Sequence, residues 1–337
     1  MSGPYLLPEL EKHMTDTQPP LLNALAARGI VREWVRGAQT LAIVEATHRM
    51  GWLEKLAEPL SPAALTTDAW PQARVQGVVD VLKQAGVANE ADGTWQLTPP
   101  FADLLAGESG VSLETVLDSA RLDLASLEKL DREEPGMVDG VAALVVARDA
   151  GVAADPVTQM LYRSVYDAMP EVSAVLESGG PMLDLGSGVG GALLTTAQLY
   201  PQLKLVGVDI VPEVAAEAVR RRDELGLTDQ VEVRCVDARN LNDRSTFRVA
   251  YWAQCFFPDA GRPATLAVLR QALTDDGLLI LQEQLAGLTD VVQLGQRGIS
   301  GGHTVDELAA EAQAAGFVLV RQVATNLGNL TLVRNQP

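Results

Sequence analysis

The chain has 337 residues, 47% of them hydrophobic and 21% charged, and carries a formal net charge of -18. That length leaves room for two domains with separate cores. The acidic excess argues against nucleic acid and against an anionic membrane as partners, because both reward clustered Lys and Arg. Two cysteines, Cys235 and Cys255, fit a reducing cytoplasm and give no disulfide framework. Three histidines, His13, His48 and His303, lie far apart in sequence, so no His-rich metal site is expected, although carboxylates alone can hold a hard cation. The opening MSGPYLLPELEKH has no basic start and no long apolar core, so it does not read as a signal peptide. No uninterrupted apolar run reaches membrane-spanning length.

Residues 1–17 read as a loose arm. From Pro19 the apolar positions recur at helical spacing (Leu21, Leu22, Leu25, Ile30, Val31, Trp34, Val35, Leu41, Val44), giving two or three helices broken near Gly29 and Gly37. Gly51 suits a helix C-cap. Ser61-Pro62 opens a short helix, and Val75, Val78, Val79 and Leu82 stripe a second one that Gly86 ends. Val87–Thr98 then reads as a hairpin with its tip at Asn89–Gly93. Helix, helix, hairpin is a winged-helix pattern. The second helix offers only Arg74 and Lys83 and the hairpin tip is acidic, which is poor equipment for reading DNA. Residues 110–178 read as almost wholly helical, the last helix running Pro156–Leu176 with Tyr162 and Tyr166 one turn apart on one face. Two readings of these tyrosines stand: packing residues with hydroxyls at a surface, or the roof of a ligand pocket.

The stretch Pro181–Gly191, PMLDLGSGVGG, joins a buried-strand pattern to a glycine cluster. A helical segment, Ala192–Leu199, and a second strand ending at Asp209 follow, making a βαβ unit shaped for a nucleotide-like ligand. The glycines let the backbone turn sharply and let a ligand come close, and the turn is expected to leave free amides at a helix start. A dinucleotide site wants G-x-G-x-x-G facing a pyrophosphate. Here the spacing is G-x-G-x-G, and Asp184 stands two places before the first glycine, where a carboxylate suits a cationic ligand better. Asp209, at a strand end, is placed to take both ribose hydroxyls.

Further strands are expected at Gln230–Val236, Phe247–Ala253 and Leu278–Glu283, the last after a turn at Asp275-Asp-Gly277. After a glycine-bearing loop and a helix Thr304–Ala315 come Phe317–Val323 and Leu330–Val333, an antiparallel hairpin. The fold class is therefore α/β: a seven-stranded, mostly parallel sheet with one antiparallel strand, preceded by a mainly helical domain. The divisions are 1–108 (winged helix), 109–178 (helical connector and pocket lid) and 179–337 (sheet domain). Ligands bind such sheets beyond the carboxyl ends of the strands, which collects Asp184, Asp209, Asp237 and Gln254 along one rim.

The pattern E/D-x-G-x-G-x-G with a later strand-end acid resembles motif I of the class I S-adenosylmethionine (SAM) methyltransferases. From about Thr40 onward the chain resembles the small-molecule O-methyltransferase family, in GWLEKL, LTPPFADLL, LDLGSGVGG, GVDI, DAR and LILQE. The resemblance implies a Rossmann-like SAM domain, a winged-helix domain that makes a homodimer, and a small-molecule acceptor. It implies that Gly186 and Gly188, with Ser187 between them, flank the methionine part of SAM, and that Asp209 holds the ribose with Ile210 beside it. Asp237 and Ala238, followed by Arg239, border the adenine.

One departure matters. The family's general base is the His of a His-Asp-Trp run after the fourth strand. Matching Trp252 and Asp259 without a gap puts Cys255, Phe256 and Phe257 on those positions, so that base is missing. The acid that orients it in the family is matched by Glu283, and His303 falls near the pocket from another loop. His303 is then a replacement base with a pKa naturally near neutrality, or a surface histidine beside a helix cap. Glu283 holds His303 or an acceptor, or is a structural acid. Cys255 is a buried thiol or a reactive one. Arg297 binds an acceptor carboxylate, or is a free surface cation. Methyl transfer to oxygen or to an enolisable or aromatic carbon of a natural-product precursor is the leading expectation. The alternatives are a SAM-binding relative that catalyses a non-methylating cyclisation or rearrangement, and a SAM-sensing regulator, which would need a basic helix face.

Overall fold

The computed structural model describes residues 20–108, 110–128, 140–252, 254–285, 298–299 and 302–336. The chain divides into two compact units, Met1–Leu105 and Ala106–Pro337.

In the first unit, α1 (Pro20–Arg49) is one continuous helix, where two or three were expected. Glycine in a helix interior costs only about 1 kcal/mol, and Gly29 and Gly37 are each followed by residues that continue the helix. The helix stops where a glycine adopts the left-handed conformation, at Gly51 (φ 67°), before the short α2 (Trp52–Lys55). A 3-10 turn (Pro62–Leu65) and α3 (Gln72–Gln84) follow. Strands β1 (Ala88–Ala91) and β2 (Thr94–Leu97) pair antiparallel around Asp92-Gly93, both at positive φ, the two-residue turn whose twist matches a hairpin. Leu53, Leu56, Val75, Val79, Leu82, Trp95 and Leu97 are buried as its core. Helix α4 (Pro99–Ala106) ends at the boundary between the units.

The second unit begins with α5 (Leu113–Leu127), α6 (Gly140–Asp149), α7 (Pro156–Asp167) and α8 (Pro170–Glu177). The single helix expected over Pro156–Leu176 is two. Met169 precedes a proline, which disfavours helical backbone, and it sits at φ −124°, ψ 77°. The sheet strands are β3 (Met182–Leu185), β4 (Leu205–Asp209), β5 (Val231–Cys235), β6 (Phe247–Trp252) and β7 (Leu273–Gln282). A two-stranded pair, β8 (Gln284–Leu285) with β9 (Gly302–His303), precedes β10 (Val318–Thr325) and β11 (Gly328–Arg334). Among the described residues four more helices belong to the unit: α9 (Gly191–Leu199), α10 (Pro212–Glu224), α11 (Arg262–Ala272) and α12 (Val305–Ala314). Strand β7 begins earlier than the expected turn at 275–277, which it absorbs with Asp276 at φ 65°.

The sheet order is β10-β11-β7-β6-β3-β4-β5, with β11 antiparallel to both neighbours and the other pairs parallel. Register decides which side chains share a face. Asp184 lies opposite Tyr251, and Tyr251 opposite Ile280. That face packs against α7, α8 and α9 through Val165, Tyr166, Met169, Leu176 and Leu193. The other face, with Leu183, Leu185, Trp252 and Leu281, packs against α11 and α12. Burial on both faces explains why these strands read as continuous apolar runs. Among the described residues no helix is long and apolar enough to cross a membrane.

Candidate active site

The glycine turn after β3 closes on the end of β4. The amides of Gly186 and Ser187 both donate to Val208 O, Gly190 N donates to Ser187 O, and Gly188 N donates to Asp209 Oδ2 at 3.2 Å. These four amides are thus taken within the turn and by the end of β4. The start of α9 is also covered. A Cβ on Gly191 would stand 3.0 Å from Val152 O, and one on Gly151 would stand 2.5 Å from Val189 Cγ2. The segment 151–155 thus straps the helix start, where a pyrophosphate would have to sit. Gly188 differs: at φ 55°, a Cβ there would meet nothing within 4 Å, so its outer side is open to a ligand.

Beside this turn Asp184 is 1% exposed, and neither carboxylate oxygen has a hydrogen-bond partner. Burial, and then the nearby Asp209 carboxylate, push its pKa up to about 7. Asp209 is also raised by burial, against the bonds that its oxygens accept from Val211 N and Gly188 N. Two more buried polar atoms are left without partners on the same rim, Ser187 Oγ and Gln254 Oε1. The Gln254 amide is held by Nε2 donating to Gln282 O at 2.6 Å. Ile210, just past Asp209, is an exposed apolar side chain. Asp237 caps a 3-10 turn (Ala238–Asn240), and its carboxylate accepts from the Arg239 backbone and guanidinium, which holds its pKa below the usual range. Ala238 is buried beneath.

A cleft lies between α7 and the sheet face that carries Asp184, lined by Tyr162, Tyr251, Gln282 and apolar side chains such as Met169 and Ile280. Tyr166 also lines it, but its hydroxyl is bonded to Thr196 Oγ1 at 2.6 Å in the interior, not placed at a surface. Burial first, and then the Asp184 charge, raise the Tyr162 pKa, so its phenol stays neutral. Tyr251 Oη donates to Gln282 Oε1 at 2.6 Å, and Gln282 Nε2 donates to Leu327 O at 2.6 Å. The sequence reading missed Tyr251 and Gln282. The alternation of FRVAYW places Tyr251 on one face of its strand, but which face is the Asp184 face depends on register across the sheet.

The Glu283 carboxylate accepts from Val305 N at 3.2 Å through Oε1 and from Asn329 Nδ2 through Oε2, so it tethers the backbone two residues beyond His303. His303 sits on β9, with Nε2 3.9 Å from Asp259 Oδ1. Phe256 is exposed on the 3-10 turn Gln254–Phe256 after β6. The Cys255 side chain and Arg297 lie outside the described residues.

Residues 182–277 match the family model described as a methyltransferase domain. Within the second unit these residues therefore form a methyltransferase domain, with SAM as its methyl donor. Over nearly the whole chain the fold is that of the small-molecule O-methyltransferases. The structure of the mitomycin 7-O-methyltransferase MmcR superposes with a TM-score of 0.68 at 19% identity, covering 94% of this chain and 99% of that one. Human N-acetylserotonin methyltransferase in complex with SAM gives 0.66 at 14% identity, covering 96% and 100%. CalO1, a methyltransferase in calicheamicin biosynthesis, in its SAH-bound form, gives 0.61 at 20% identity, covering 95% and 100%. By sequence, the chain is 25% identical over 175 residues to the carboxy-S-adenosyl-L-methionine synthase of Dichelobacter nodosus, covering 49% of this chain and 73% of that protein.

Proposed function

We propose that the protein moves the methyl group of SAM to a small-molecule acceptor, at oxygen or at an enolisable or aromatic carbon, in the biosynthesis of a natural product. The observation that carries this reading is the Asp184 carboxylate, buried beside the glycine turn with both oxygens unpartnered. Such a group is satisfied by a ligand that brings both N–H donors and positive charge. The α-ammonium of the methionine part of SAM does so. The closed glycine turn and the strap at Val152 disfavour the pyrophosphate of a dinucleotide. Asp209 would take the ribose hydroxyls, with Gly186, Ser187 and Gly188 along the methionine part. Ile210 and Ala238 would flank the adenine, with Asp237 and Arg239 at its edge, and Gln254 Oε1 would accept from the donor. Tyr162, Tyr166, Cys255 and Phe256 belong to the acceptor side in this reading, with His303 as base and Glu283 holding its loop.

When bound, the donor supplies an electrophilic methyl carbon on a sulfonium. The protein's share is alignment of the acceptor and exclusion of water, which supply much of the rate for such a displacement. The natural-product setting is supported by the names of the similar structures. A homodimer is supported by the apolar side chains left exposed along α1, including Leu21, Leu25, Ile30 and Trp34. A reducing cytoplasm fits the two-cysteine composition. The second reading is a reaction on the donor that methylates nothing, and it is favoured by the likeness to a carboxy-SAM synthase.

Calorimetric titration with SAM, with NADH as control, tests the proposal. Micromolar binding of SAM that is weakened about tenfold or more in Asp184→Asn and Asp209→Ala is expected. Binding of NADH, or of neither ligand, overturns it. Turnover of SAM without release of S-adenosylhomocysteine would select the second reading.

A further inference from the structure

We infer that Asp259 is the positioning residue of the base His303, the two forming a carboxylate–imidazole pair whose members come from exchanged loops. The inference rests on the methyl-transfer reading above. The family pattern places the imidazole after the fourth strand of this sheet and the acid after the fifth. Here the loop after β6, the fourth, carries the carboxylate, and the loop after β7, the fifth, carries the imidazole.

Four features hold the pair. Asp259 opens the 3-10 turn Asp259–Gly261 that leads into α11, and its amide donates to Gly298 O at 2.9 Å, joining the two loops through their backbones. His303 is paired across the β8–β9 ladder with Gln284, the residue after Glu283. Glu283 accepts from Val305 N, two residues beyond the imidazole. Thr304, next to His303, forms a capping box with Glu307 at the start of α12. The backbone on both sides of the histidine is thus fixed, and the ring is delivered with Nε2 3.9 Å from Asp259 Oδ1. Glu307 is a further carboxylate near enough to feel a charge on the ring.

A carboxylate on the Nε2 side favours the tautomer with hydrogen on Nε2, which leaves Nδ1 to take a proton. In the step this supports, the acceptor's O–H or enolisable C–H bond breaks and its proton passes to the imidazole. The electron pair left behind forms the new bond to the methyl carbon, while the carbon–sulfur pair returns to sulfur. The sulfonium charge is lost, and the imidazolium stands beside Asp259 until its proton leaves to water. The His303 side chain is 26% exposed, so solvent can reach it.

The test reads the imidazole nitrogens directly by ¹⁵N NMR of the full chain at pH 8, with and without SAM. There are only three histidines, and His303→Gln assigns the signal. The wild type is expected to hold His303 mostly as the Nε2–H tautomer. Asp259→Asn should move it toward a mixture, leave His48 unchanged, and be largely rescued in Asp259→Glu. An unchanged tautomer ratio in Asp259→Asn, while SAM still binds, overturns this inference and leaves the methyl-transfer reading standing. A shifted ratio in a protein that binds no SAM overturns the reading beneath it, and the base role falls with it.

Discussion

Asp209 and Gly188, 21 residues apart, are joined by a hydrogen bond of 3.2 Å from the Gly188 amide to Oδ2, while Oδ1 accepts from Val211 N at 2.9 Å. One carboxylate thus shapes the glycine turn and still has lone pairs to offer a ligand. Asp209→Ala should weaken SAM binding about 10- to 100-fold, the size of one or two charge-assisted hydrogen bonds. Asp209→Asn keeps one acceptor oxygen and should fall between. Calorimetry of the three proteins checks the order, and equal affinities would remove Asp209 from the site.

Asp184 makes donor binding pH-dependent. Its pKa is raised to about 7 by burial and then by Asp209, so below that pH the empty site holds a neutral acid. The sign follows directly. A carboxyl group whose folded pKa lies above its unfolded value favours folding below the unfolded value, near 4, and that advantage is lost as the pH rises through about 7. A cationic donor reverses the preference by favouring the carboxylate. SAM affinity should therefore rise by up to about tenfold per pH unit below 7 and flatten above 8. Titrations at pH 6.5 in two buffers of different ionisation enthalpy should show release of about three-quarters of a proton per SAM bound, the protonated fraction for a pKa of about 7. Asp184→Asn should release none.

The parts legible in the sequence were those fixed within a short window. LDLGSGVGG shows a buried strand entering a turn whose glycines take positive φ, and Asp184 and Asp209 are placed by counting from it. The order of elements in the second unit could be read the same way, because each strand and helix carries its own period. What could not be read depends on contacts across the fold. Val152 reaches Gly191 from a connector 39 residues away and covers the helix start. Tyr251 and Gln282 join the site through sheet register. Asp259 meets His303 because two loops return to the same rim. The break at Pro170 was readable, since residues before proline avoid helix, but the apolar spacing ran on through it.

The sheet's second face should depend on one ion pair. Arg262, 3% exposed, lies over the Trp252 ring at 4.9 Å and donates from Nε to Glu311 Oε1 at 2.9 Å, tying α11 to α12. Glu311→Ala leaves a buried guanidinium with no counter-charge and should cost about 3 kcal/mol, toward the lower end of such losses because Glu311 itself reaches solvent. Arg262→Met together with Glu311→Ala removes both charges and keeps the contact with Trp252, so the double variant should recover much of the loss. Urea unfolding of the three proteins checks this, and purely additive losses would mean that the two residues do not act as a pair.

The exposed side of α1 tests the dimer. Leu21 and Trp34 are each 68% exposed and Ile30 is 55% exposed, on a helix that shows only Val44 and Thr47 as buried. Each large apolar side chain covered by a second copy contributes about 1.5–3 kcal/mol, and a symmetric interface counts each twice. Trp34→Glu places a charge at both copies of one position and should raise the dimer dissociation constant by 100-fold or more. Light scattering at micromolar concentration should then give twice the chain mass for the wild type and the single-chain mass for the variant. Because Trp34 lies outside the second unit, SAM affinity should be the same in both proteins when the donor site is complete within one chain. A loss of SAM binding on dissociation would mean instead that the partner copy completes it.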